Sequence, residues 1–68
     1  MKYTVVLQRT EEGISVGCPG LPGCWSQGAT EQESLENIQA AIQMHIQGMQ
    51  ADNQPIPEPQ TFAEYVTV

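Results

Sequence analysis

The run Leu21-Pro22-Gly23-Cys24-Trp25-Ser26-Gln27-Gly28 leads at once into Thr30-Glu31-Gln32-Glu33, so a tight turn, a short strand and a helix start follow one another without a spacer. Pro19 and Pro22 lack the backbone donor that a sheet ladder needs, and Gly20 and Gly23 weaken strand order, so residues 19–23 form a constrained turn. Thr30 has the side-chain oxygen to accept from the orphan amides of a first helical turn, and Glu33 stands where it can reach back to the amide of Thr30. A helix therefore begins at Thr30, and a strand over residues 24–28 feeds it.

The flanking segments extend this pattern. Residues 2–10 read as a strand with Tyr3, Val5 and Leu7 on one face and Thr4, Val6 and Gln8 on the other. Glu11-Glu12-Gly13 supplies a hairpin turn with a glycine available for a positive backbone angle, and Ile14, Val16 and Cys18 then alternate with Ser15 and Gly17 in a second strand. Along the helix, Leu35, Ile38, Ile42, Ile46 and Met49 recur at spacings of three and four, with Ala41 and His45 flanking the stripe. Gly48 weakens the last turn, and a strap containing Pro55, Pro57 and Pro59 stops the helix and spans back in extended form. Residues 61–68, with Phe62, Tyr65, Val66 and Val68, read as a final strand. The predicted fold is α+β, ordered β-β-β-α-β, with one helix packed on a four-stranded mixed sheet of order 3-2-1-4 through a right-handed crossover. The uncovered sheet face, drawn from Thr4, Val6, Ser15, Gly17, Tyr65 and Thr67, is mixed in character and leaves room for a partner or a second copy.

Size and charge restrict the function classes. A chain of 68 residues is read as a single domain over residues 1–68 with no C-terminal DNA-binding domain, and its own core is marginal. Two cysteines are too few for a disulfide scaffold and no charged-then-apolar leader is visible, which points to a reducing cytoplasm. Association with another chain is then the remaining source of added stability. The net charge of −6 repels phosphate backbones and anionic lipids, which argues against direct nucleic-acid or membrane partners. It favours fast encounter with a basic protein, and it also keeps a small chain in solution.

No constellation of catalytic, metal-binding or cofactor-binding residues is expected. Metal-dependent phosphoester hydrolysis needs carboxylates converging from several elements, whereas Glu11 and Glu12 fall in a turn, Glu33 and Glu36 on a helix surface, and Glu64 alone in a strand. Cys18 and Cys24 flank the Pro/Gly turn and read as packing thiols, with a metal or redox pair as the alternative. His45 has no orienting third group. Trp25 is either a core anchor or an exposed contact residue. The candidate partner-binding residues are Glu11, Glu12, Trp25 and Tyr65.

Taken together, the N-terminal Tyr3-x-Val5-Val6-Leu7 pattern, the Leu21-Pro22-Gly23-Cys24 turn, Ser26-x-Gly28-x-Thr30, the helix positions Glu33, Leu35, Asn37 and Ala41, and the strap 55–59 resemble the HicB-like antitoxin family over essentially the whole chain. The resemblance implies a partial ribonuclease H-like fold without the nuclease's acidic centre. It further implies an inhibitory role, in which the domain binds a small basic HicA-type mRNA-cleaving ribonuclease toxin and masks its active surface. An orphan, self-associating module without a toxin partner is the alternative.

Overall fold

Strand pairing begins where the hairpin glycine permits it. The computed structural model describes residues 2–57, in which β1 (Val6–Thr10), β2 (Gly13–Gly17) and β3 (Trp25–Gly28) form an antiparallel sheet of order β1-β2-β3, followed by α1 (Glu31–Ala51). Thr10 pairs with Gly13, leaving Glu11 and Glu12 as the loop. Neither glutamate takes a positive φ; the unusual angle falls on Gly13 at 142°, a conformation that L side chains rarely adopt. The Thr10 hydroxyl fastens the tip by donating to the Gly13 carbonyl at 3.1 Å and accepting from the Glu12 amide at 3.3 Å.

The ladder of β1 starts at Val6, four residues later than the sequence pattern implies, because its partner ends at Gly17 and the chain turns away at Pro19. Tyr3 and Val5 nonetheless pack with Leu7 against the core, as their alternation requires. The Pro/Gly segment resolves into two consecutive turns. The Leu21 amide donates to the Cys18 carbonyl and the Cys24 amide to the Leu21 carbonyl, each at 3.0 Å. The second of these has Pro22 then Gly23 at its centre, with Gly23 at φ 81°, the geometry of a type II turn. The Cys18 amide donates to the Cys24 carbonyl at 3.0 Å, so the two cysteines carry the β2–β3 ladder to the mouth of the turn.

Between these two turns Leu21 points inward and is completely buried. Nothing in the turn's composition announces this; a leucine flanked by turn residues is normally surface. It joins Val16, Cys18, Cys24 and Ile38 as the buried apolar residues among those described. These five side chains form one cluster, with Tyr3, Val5, Leu7, Ala41 and Ile42 packed against it.

The helix start is capped as the Thr30–Glu33 spacing predicts, with one difference. Thr30 is extended and its Oγ1 accepts from the Glu33 amide at 3.1 Å, but the Glu33 carboxylate takes the amide of Ala29, at 3.3 Å, rather than that of Thr30. One turn in, Ser34 is fully buried and donates to the Glu31 carbonyl at 2.8 Å. Its burial follows from the backbone of Gly28. A Cβ on Gly28 would lie 2.5 Å from the Ser34 amide nitrogen and 2.9 Å from Ser34 Cα, so helix and strand touch backbone to backbone at this point. The predicted apolar stripe buries only Ile38 fully; Ala41 and Ile42 pack against the core, while Leu35 remains 38% exposed. At the far end the helix is closed by Asn53, at φ 56°, which donates to Gln50 at 3.1 Å while Gln54 donates to Met49 at 2.8 Å. This is a Schellman closure with asparagine in the left-handed position, so the helix stops before the prolines are reached. The strap then returns to the N-terminus, where the Tyr3 hydroxyl donates to the Pro57 carbonyl at 2.7 Å. The predicted fourth strand, residues 61–68, lies outside the described residues.

Replacing Gly28 with alanine should cost about 2 kcal/mol, because the intruding methyl meets backbone that cannot rotate away. Thr30→Ala should cost about 1 kcal/mol through the lost cap. Urea titration followed by circular dichroism measures both; an unchanged midpoint for Gly28→Ala would show that the helix is free to slide off the strand.

Candidate functional site: the acidic end and the exposed sheet face

The hairpin tip and the helix start meet at one end of the molecule. Gly13 lies against the Gly28 carbonyl, to which an added Cβ would come within 2.5 Å, and this contact brings Glu12 and Glu33 to the rim of one shallow hollow. Glu11 lies beside it, with Arg9 on the same rim, and Glu31 is in the first helical turn. Glu11, Glu12 and Glu33 thereby line two hollows that share Thr10, Glu12, Gly13, Ile14 and Ala29. The Glu33 carboxylate is engaged in capping, and Glu31 and Glu33 complement the helix dipole. Glu11 and Glu12 carry no such structural duty and are exposed.

Trp25 stands elsewhere. It is 68% exposed, which settles its open reading in favour of a surface residue, and it occupies the face of the sheet away from the helix. Cross-strand pairing places Val6 opposite Gly17 and Gly17 opposite Trp25, so the three form one row across that face. The next row is Gln8, Ser15 and Gln27. From the Val6 row to the hairpin tip is roughly 14 Å, four strand steps of about 3.4 Å. The structure therefore brings Glu11 and Glu12 together with the helix acids but separates them from Trp25. Tyr65 lies outside the described residues. The outer edge of β3 is partly closed by Asn37, whose Nδ2 donates to the Gln27 carbonyl at 2.8 Å, an edge-blocking contact that the residue types alone did not announce.

On the other side of the sheet, Tyr3 and Val5 face Leu35, Ile38, Ile42 and Ile46 across a groove that Gln39 and Gln43 also line. Cys18 and Cys24 are both free thiols buried in the core. Burial, with a smaller contribution from neighbouring Cys18, pushes the Cys24 thiol above its ordinary value of 9.0. A protonated, enclosed thiol is a poor nucleophile, which fits the packing reading. Among the described residues no three of His, Cys, Asp and Glu are grouped to hold a metal ion. None of the described helices is long and apolar enough to cross a membrane.

The described residues thus form a small α+β unit with an acidic end, an exposed sheet face and two thiols packed in the core. Residues 3–68 match a family described as the HicB-like antitoxin of bacterial toxin–antitoxin systems. A UPF0150 protein of Thermoplasma acidophilum is 44% identical over 69 residues, covering 100% of this chain and 97% of that protein. A UPF0150 protein of Synechocystis is 42% identical over 57 residues, covering 82% of this chain and 72% of its own length. An uncharacterised 14.9 kDa protein from the rep–hol intergenic region of Haemophilus phage HP1 is 33% identical over 66 residues; the match covers 97% of this chain and half of the phage protein. The chain belongs to the HicB-like antitoxin family.

The raised Cys24 pKa gives a pH dependence with a definite sign. As pH climbs through 9.0 the unfolded chain loses the thiol proton first, so the stability associated with this group is complete below that pH and is lost above it. Urea midpoints taken from about pH 8 to about pH 10 should fall, and the fall should be shallower in Cys24→Ala. Equal slopes in the two proteins would assign the alkaline loss to other groups.

Proposed function

We propose that the chain acts as an antitoxin that binds a small basic HicA-type mRNA-cleaving ribonuclease and masks its active surface, with no catalysis of its own. The observation that carries this reading is family membership across residues 3–68. Physical support comes from the net charge of −6 and from the acidic end, where Glu11 and Glu12 are exposed and free of capping duty. Complementary fields of this kind accelerate encounter more than they tighten the final complex. Trp25 is proposed as a contact position for a second copy of the chain, and Tyr65, beyond the described residues, as a further partner contact. The reading includes a cytoplasmic setting and self-association as a dimer or tetramer, which the marginal core expected of a 68-residue chain supports. It also includes the finer fold assignment, a four-stranded sheet of partial ribonuclease H-like type. The return of the strap to Tyr3 supports a last segment beside the N-terminal one.

The orphan module, which self-associates without a toxin, is favoured by one observation. The exposed row Val6–Gly17–Trp25 is neutral and is remote from the acidic end.

The test is titration of the purified chain against a small basic ribonuclease from its own cell, with RNA cleavage as the readout. Stoichiometric inhibition that weakens with salt is expected. The double substitution Glu11→Gln, Glu12→Gln should slow association about 10-fold with a smaller change in dissociation. A stable chain that neither binds nor inhibits any such ribonuclease overturns the antitoxin reading and leaves the orphan module.

A further inference from the structure

We infer that the exposed sheet face around Trp25 is where two copies of this chain meet, with the indole of each seated over Gly17 of the other. The inference rests on the self-association included in the reading above and assigns it a surface.

Three observations carry it. The first is that the face pairs a projecting group with a recess. Trp25 is 68% exposed and Val6 52% exposed, and Gly17 lies directly between them in the ladder. A Cβ built on Gly17 meets nothing within 4 Å, so the neighbouring indole is not folded over the glycine beside it. A tryptophan next to a cross-strand glycine ordinarily gains by covering it. Here the recess is open and the ring stands free. A two-fold contact, in which the same patch serves both partners, then places each ring on the other copy's glycine.

The second observation is charge. The rows that make up the face, Val6, Gly17 and Trp25 with Gln8, Ser15 and Gln27, contain no ionisable side chain. A basic partner would find nothing to pair with here, and its charges would be desolvated without compensation. A second copy of a chain of net charge −6 is different: it can approach this face without setting like charges directly against each other. The third is position. Glu11 and Glu12 sit at the far end of the hairpin, so a copy on this face leaves the acidic end accessible. An exposed tryptophan ringed by uncharged polar groups also has the make-up of an interface centre.

The test uses the full chain and two variants, Trp25→Ser and Gly17→Val. Gly17 has no positive φ and its Cβ position is open, so valine there fills the recess without disturbing the single chain. Sedimentation velocity from low to high micromolar concentration, at low and high salt, reads the association, and the emission of the chain's single tryptophan reports its burial directly. The wild type should associate reversibly with a blue shift of the emission, and more tightly at high salt, because screening relieves repulsion between two acidic chains. Each variant should weaken association at least about 30-fold, with far-UV circular dichroism and urea midpoint unchanged for Gly17→Val. A wild type that stays monomeric at every concentration overturns both the surface and the self-association reading. Association that persists unweakened in both variants overturns the surface alone. A blue shift seen only on adding a basic ribonuclease, and lost with salt, gives the face to that partner and overturns the inference.

Discussion

The close approach of Gly28 to the first turn of α1 is the contact on which the rest of the arrangement depends. With no side chain on Gly28, the amide of Ser34 comes to a distance at which a Cβ could not exist. Ser34 can then be buried completely, its hydroxyl satisfied by the helix itself. The helix axis is fixed against β3 at that point, and Ile38, one turn further on, is carried onto Val16, Cys18, Leu21 and Cys24. Gly13 adds a second close contact at Gly28, through the Gly28 carbonyl oxygen, which ties the hairpin tip to the same end. Backbone-to-backbone contacts of this kind fix helix and strand at a separation that no intervening side chain can adjust.

The same contact organises the electrostatics. Because hairpin tip and helix start are joined through Gly13 and Gly28, Glu11, Glu12, Glu31 and Glu33 are gathered at one end, although they come from segments separated by two strands. The opposite end of the sheet face carries the neutral row Val6–Gly17–Trp25. The molecule thus has two chemically different surfaces. One attracts positive charge at a distance, and the other is suited to contact with a neutral surface after approach. The proposed antitoxin role and the proposed self-association draw on different ends, so a copy of the chain and a basic partner need not compete for the same residues.

The strap and the double turn show how a short chain extends its core without longer strands. Leu21 is lodged between two consecutive turns and contributes a fully buried side chain from a segment that has no strand or helix. The Tyr3 hydroxyl ties residue 57 back to the start of the chain. Both features close long stretches of backbone onto the sheet, and a single net hydrogen bond such as this one contributes on the order of 1 kcal/mol.

Local chemistry determined much of this directly from the sequence. The capping threonine, the two-glutamate hairpin loop with its glycine, the Pro22-Gly23 turn and the alternation of Tyr3, Val5 and Leu7 are each set by residues adjacent in the chain. Each was therefore legible, and the Tyr3–Leu7 pattern together with the turn and helix positions was enough to identify the family. Tertiary structure alone decided the features that depend on residues far apart. The burial of Leu21 and Ser34, the Glu33 carboxylate turning to Ala29, and the shorter β1 all follow from what lies across the sheet, which no local pattern records. The same holds for the candidate contacts. Composition marked Glu11, Glu12 and Trp25 as surface-compatible, but only the strand register placed the glutamates with the helix acids and Trp25 beside an open glycine. Hydrogen-bonding and steric preferences act between neighbours along the chain, whereas burial and surface chemistry are set by which segments the fold brings face to face.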